Sequence, residues 1–217
     1  MLSYHMLAVL VAPSAARATD PLKTKPEHKT IVVFGDSLAA GLGVDPEEAF
    51  PALLQRQIDG AGWNYAVVNA GVSGDTTAGG RRRIDWQLQR KVDVLVLELG
   101  GNDGLRGIPV EATKTNLQAI IDRAKQKYPQ VQIVVAGMQM PPNMGEEYNT
   151  AFRRIFPDLA KANNAALVPF LLEGVGGQPE LNQTDRIHPT AEGHRIVAEN
   201  VWKVLKPLLE KMSSPQP

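Results

Sequence analysis

The chain has 217 residues, 43% hydrophobic and 21% charged, with Lys plus Arg and Asp plus Glu balanced at 23 each. That is enough for one medium domain with a sizeable core, and the charge balance gives no global field selecting nucleic acid or an anionic membrane. With no cysteine, disulfides, thiolate zinc sites and cysteine nucleophiles are excluded.

Residues 1–18 read as an export signal. Met6 to Ala12 form a short apolar core, too short to span a bilayer, and Ala16-Arg17-Ala18 fits a small-x-small cleavage site, although His5 is the only basic side chain in the n-region. This predicts a periplasmic or secreted protein, or a cytoplasmic one if the start is misassigned, without stable membrane insertion. Residues 19–29, rich in Pro and Lys, read as an extended lead-in. A single domain is expected over 30–212, followed by a tail at 213–217.

Five apolar, β-branched runs predict strands: Ile31 to Phe34, Ala66 to Asn69, Val92 to Leu99, Val131 to Gly137 and Ala166 to Phe170. Near-continuous runs such as Val94-Leu95-Val96-Leu97 suit strands buried on both faces of a parallel sheet. Amphipathic stretches lie between them. Phe50, Leu53, Leu54 and Ile58 share a stripe ended by Gly60 and Gly62. Leu117, Ile120, Ile121 and Ala124 follow Pro109. Phe152, Ile155, Phe156 and Leu159 surround Pro157, a candidate kink, and Val197, Val201, Val204, Leu205 and Leu208 define a last helix with Pro207 near its end. The run Arg81-Arg82-Arg83 is expected on the solvated face of a helix. Alternation of strand and helix predicts an α/β fold, a three-layer α/β/α sandwich around a central parallel five-stranded sheet, with the ligand beyond the carboxyl ends of the strands.

Four polar segments fall at those ends. Gly35-Asp36-Ser37 follows the first strand and offers a serine on a tight turn. Asn69 to Asp75 follows the second, where Gly71 leaves room for a carbonyl to approach a backbone N–H; Asp75 or Thr76 would cap the next helix, and Ser73 is a rival nucleophile. Gly100-Gly101-Asn102-Asp103 follows the third and presents an amide donor for a developing oxyanion. Asp185-Arg186-Ile187-His188-Pro189 supplies an imidazole with a carboxylate three residues before it. His194, inside the last amphipathic stretch, is the rival base and is expected to face solvent; His5 and His28 lie in the lead segments. Taken singly, each segment also reads as ordinary turn and capping chemistry.

In this order the stretches FGDSLAAGLG, NAGVSGDT, LELGGNDGLRG and DRIHPTAEGH closely resemble the SGNH, or GDSL-type, hydrolase family, in particular its branch of bacterial thioesterase I, lysophospholipase L1 and arylesterase enzymes. The likeness runs from about Ile31 to Leu209. It implies a flavodoxin-like fold and a catalytic set of Ser37, His188 and Asp185. It also implies an oxyanion hole from the Ser37 and Gly71 backbone N–H groups and the Asn102 side chain, with no metal and no cofactor. The implied reaction is hydrolysis of aryl and short- to medium-chain acyl esters, with acyl thioesters or lysophospholipids as further substrates. A carbohydrate O-acetylesterase or acyltransferase is the alternative on the same fold, and a non-catalytic anion-binding module a remote one. Met138, Met140 and Pro141, after the fourth strand, are candidate walls of an acyl pocket, joined by Leu105, Ile108 and Leu172. The partner implied is a small-molecule ester or thioester, not nucleic acid; oligomeric state stays open, a monomer being the default.

Overall fold

A computed structural model describes residues 28–213. The export signal expected over 1–18, most of the lead-in, and residues 214–217 lie outside the described residues.

Five parallel strands form one sheet in the order β2-β1-β3-β4-β5. They are β1 (Lys29–Gly35), β2 (Tyr65–Asn69), β3 (Val94–Glu98), β4 (Gln132–Ala136) and β5 (Ala166–Val168). Every residue of β3 is buried, as a central parallel strand covered on both faces requires. The expected strand at Ala166–Phe170 stops at Val168, since Pro169 has no N–H to donate to a ladder. β1 begins two residues earlier than expected, with Lys29 paired to Tyr65.

The helices are α1 (Ser37–Ala40), α2 (Phe50–Gly60), α3 (Thr77–Gln87), α4 (Gly101–Leu105), α5 (Val110–Lys127), α6 (Glu146–Asn163) and α7 (Ala191–Ser213). The chain steps from β1 outward to β2, then crosses back to β3 and continues to β5. Right-handed crossovers therefore send α2 to one face and α3, α5 and α6 to the other. Packing follows suit: α3, α5 and α6 are neighbours, and α7 closes the opposite layer against α2. Pro157 lies inside α6, which continues to Asn163 because Phe152, Ile155, Phe156 and Leu159 bury one full stripe. The strand order reverses between β1 and β3, and in such sheets the crevice at this switch is where ligands bind.

Candidate active site

The switch point sets the floor of the site. Gly35, last in β1, is in register with Glu98, last in β3. Glu98 Oε2 accepts the backbone N–H groups of Asp36 and Ala39, both at 3.1 Å. Asp36 caps α1, its Oδ1 accepting from Leu38 N at 3.0 Å. Both carboxyls are buried. Burial pushes Asp36 up to about 6, and burial reinforced by the charge of Asp36 pushes Glu98 well above the carboxylate range. One Glu98 oxygen, Oε1, is buried with no hydrogen-bond partner among the described residues. On this floor stands Ser37, the first residue of α1 and only 7% exposed. Around it the N–H groups of Asp36, Leu38, Ala39 and Ala40 are all engaged; that of Ser37 has no partner among the described residues.

From the other end of the chain comes the turn before α7. His188 Nε2 lies 2.8 Å from Ser37 Oγ, and His188 Nδ1 lies 2.6 Å from Asp185 Oδ2. The second Asp185 oxygen accepts from the N–H groups of Ile187 (2.9 Å) and His188 (3.0 Å). Those bonds, the His188 contact first, hold the Asp185 carboxyl down at about 2. The carboxylate thus fixes Nδ1 as the protonated nitrogen and leaves Nε2 to accept from the serine hydroxyl. Arg186 adopts a left-handed conformation (φ 60°) inside this turn. His194, expected to face solvent, is instead 1% exposed, stacked on Phe50 and accepting the Phe50 N–H at Nδ1. Burial, with the charge of His188 adding to it, lowers its pKa to about 4. Its stripe on α7 faces α2 rather than water, which removes it as a rival base.

Two loops supply donors. Asn102, on α4, gives one amide N–H to Asp36 Oδ2 at 3.1 Å, so the buried carboxyl aims the amide and the second amide hydrogen remains for another acceptor. Gly71 lies in the loop after β2, against α1. Its N–H is donated to Asn69 Oδ1 at 3.0 Å, and its lack of a side chain is explained by packing, since a Cβ there would stand 2.3 Å from Ala40 N. Gly74 in the same loop has φ 79° and an N–H with no partner among the described residues. Thr76 caps α3, and Ser73 is exposed.

The expected acyl-pocket residues divide. Met138 is buried in the core. Leu172 packs against the core in the loop beyond β5, and Pro141 is exposed. Ile108 is half-buried, its carbonyl accepting from the Tyr148 hydroxyl at 2.8 Å. Met140 lines a cavity of about 370 Å³ with Gln139, Pro142, Glu146, Asn149 and Arg153 and lies against Gly104 of α4. Leu105, at the end of α4, is exposed. Among the described residues no group of three His, Asp or Glu side chains is gathered as metal ligands, and no helix is long and apolar enough to cross a membrane.

Sequence reasoning passed over three groups here. Asp36 and Glu98 were hidden because a carboxylate beside a strand end usually reads as turn chemistry. Arg83 was hidden in a run expected in solvent, whereas only Arg81 and Arg82 of that run are exposed. The signal available was spacing: Gly80, Arg83 and Ile84 share the inward stripe of α3.

A doubly wound α/β/α sandwich with a hydroxyl, an imidazole and a carboxylate aligned at its switch point defines the SGNH class of hydrolases. Residues 33–196 match the model of the GDSL-like Lipase/Acylhydrolase family, and the chain belongs to that family. It is 43% identical over 182 residues to Esterase TesA of Pseudomonas aeruginosa, covering 83% of this chain and 90% of that one. It is 37% identical over 183 residues to Thioesterase 1/protease 1/lysophospholipase L1 of Escherichia coli, covering 83% and 85%. Among solved structures, the psychrotrophic esterase EstA from Pseudoalteromonas sp., inhibited by monoethylphosphonate, superposes with a TM-score of 0.78 at 32% identity, covering 84% of this chain and 99% of that one.

Proposed function

We propose that the protein is a serine esterase that hydrolyses aryl and short- to medium-chain acyl esters, and acyl thioesters or lysophospholipids, through an acyl-serine intermediate. The observation that carries the reading is the continuous relay Ser37 Oγ–His188 Nε2 and His188 Nδ1–Asp185 Oδ2 at 2.8 and 2.6 Å. Ser37 Oγ attacks the carbonyl carbon while its proton passes to His188 Nε2, and Asp185 stabilises the imidazolium that forms. The carbonyl oxygen becomes an oxyanion held by the Ser37 N–H and the second amide hydrogen of Asn102. The third donor is the backbone N–H of Gly71, whose residue packs against Ala39 and Ala40 of α1 and which bonds Asn69 Oδ1 until the oxyanion forms. Collapse of the tetrahedral species breaks the bond to the leaving oxygen or sulfur, which takes the proton from His188. Water then repeats the sequence on the acyl-enzyme and regenerates Ser37.

The thioester and lysophospholipid parts of this reading draw on the names of the relatives, and the cavity beside Met140 offers room for a substrate chain. Residues 1–18 are proposed to direct export, and 30–212 to form the catalytic domain; the apolar core at Met6 to Ala12 supports the first. The test of function is hydrolysis of p-nitrophenyl butyrate together with labelling by a serine-reactive phosphonate. Wild-type protein should turn over the ester and take up one phosphonate. Ser37→Ala should lose turnover by on the order of 10⁶-fold and all labelling; unchanged turnover in that variant refutes the proposal.

A further inference from the structure

Arg83 joins the end of β1 to the loop after β2, and nothing in the acyl-transfer scheme uses it. It leaves α3 on the inward side, its side chain 21% exposed, and spends its guanidinium on three acceptors at once. Nη2 donates to Gly35 O at 2.8 Å, Nη1 to Ala70 O at 2.9 Å, and Nε to Asp75 Oδ2 at 2.6 Å. The guanidinium carbon sits 4.0 Å over the Phe34 ring, which confines the group from below. The three acceptors have a common meaning. Gly35 is the residue before Asp36-Ser37, while Ala70 and Asp75 bracket the loop that contains Gly71 and Gly74. Gly35 O also accepts Val72 N at 3.0 Å, so one carbonyl at the end of β1 ties both the guanidinium and that loop to the nucleophile's turn.

On the reading of the site proposed above, we infer that Arg83 is a positioning residue for the oxyanion hole. Its planar fork locks the loop from Ala70 to Asp75 against the end of β1, and so fixes the distance between the backbone donor of that loop and Ser37. It touches neither substrate nor reacting atoms. A lysine in its place would keep the charge but has no rigid fork to reach three acceptors of fixed direction. The loop has no secondary structure of its own; besides the Arg83 bonds it is tied by Ala70 N to Val33 O at 2.8 Å, Val72 N to Gly35 O at 3.0 Å and Arg106 Nη2 to Gly74 O at 3.0 Å. A displacement of about 1 Å in a donor can cost on the order of 100-fold in rate, and such a loss falls on the transition state rather than on substrate binding.

The experiment compares wild-type protein with Ser37→Ala, Arg83→Met and Arg83→Lys. It measures kcat and KM for p-nitrophenyl butyrate, the rate of phosphonate labelling, and circular dichroism with thermal melting to give the folded fraction at assay temperature. Arg83→Met retains the apolar stem over Phe34 and should lower kcat ten- to a hundredfold with KM within twofold. The labelling rate should fall in parallel, because the phosphonate adduct needs the same donors. Arg83→Lys should fall between it and wild type. If Arg83→Met does not fold, Arg83→Lys and Asp75→Asn, which weakens one arm of the same fork, carry the test, each with a kcat loss at unchanged KM.

The inference is overturned if folded Arg83 variants keep kcat within twofold of wild type. It is equally overturned if the loss merely tracks unfolded protein, or if KM rises while kcat holds. These results are separable from failure of the esterase reading. Turnover persisting in Ser37→Ala removes that reading, whereas an inactive Ser37→Ala beside wild-type-like Arg83 variants removes only the clamp.

Discussion

The nucleophile and its base rest on opposite kinds of support. Ser37 stands on a buried floor at the sheet's switch point, where two carboxyls, Asp36 and Glu98, are removed from water to hold four backbone and side-chain donors in place. His188 and Asp185 stand on an exposed turn with no strand or helix beneath them; the Asp185 side chain is 43% exposed and that of His188 16%. The turn is closed by its own backbone bonds, Gln183 N to His188 O at 2.7 Å and Thr190 N to Leu181 O at 2.9 Å, and is tethered by side-chain amides. Gln183 Nε2 donates to Leu42 O at 2.6 Å and to Pro189 O at 3.0 Å, while Asn182 Nδ2 donates to Val175 O and Gln178 O, both at 2.7 Å. Oxyanion donors must match a transition state within a fraction of an ångström, and they are placed on elements packed against the buried carboxyls at the end of the sheet. A base must change its bonding during the cycle, accepting a proton and then releasing it, and it is placed by a turn tethered at its ends.

If that contrast holds, the exposed side should still show the largest loss when its reacting atom goes. His188→Ala is expected to reduce kcat by on the order of 10⁶-fold, as removal of a relay member does. Asp185→Asn should lose less, on the order of 10⁴-fold, because the turn still carries the imidazole to Ser37. Equal losses in steady-state kinetics would mean that the turn itself contributes nothing to placing His188. On the buried side, Asn102→Ala should cost about 2.7–4 kcal/mol of transition-state stabilisation, seen in kcat with little change in KM. A loss confined to KM would show that the amide binds ground-state substrate instead.

The smallest effect is one of stability and concerns His194, which belongs to the buried side although it follows the base turn by only six residues. Its folded-state pKa of about 4 lies below the ordinary value of 6.5, so the unfolded chain binds the proton more readily between these limits. Stability from the neutral ring is therefore complete above pH 6.5 and lost as pH falls toward 4, by about 2–3 kcal/mol for a shift of this size. Asp36 acts in the opposite sense: with its folded pKa raised to about 6, its contribution is complete below 3.8 and lost as pH rises through 6. Comparing Tm against pH in wild type and His194→Asn isolates the first component. The variant should destabilise less steeply on acidification, and identical slopes would place the ring's titration elsewhere.

The fold was legible because parallel strands buried on both faces must be continuously apolar, as Val94 to Leu97 are, and because helix stripes such as Leu117, Ile120 and Ile121 have no other use. The relay residues Ser37, Asp185 and His188 were legible because the chemistry restricts both residue type and order. What stayed hidden depended on direction rather than identity. Arg83 and Arg82 are adjacent arginines, and only their places on the helix decide which enters the molecule. His194 and His188 are both histidines near one helix start, and only the packing of α7 on α2 tells them apart. Such distinctions arise from tertiary contacts that no local pattern encodes.

The order in which the strands are made sets a limit on when this molecule is dangerous to its own surroundings. A nascent polypeptide synthesised only as far as β5 already holds the hydroxyl and every oxyanion donor, yet lacks His188 to activate them. The ribosome must release the turn at 182–190, and α7 must dock on α2 and β5, before an ester can be cut. Premature hydrolysis during synthesis is thereby prevented by connectivity alone, with no inhibitory segment required.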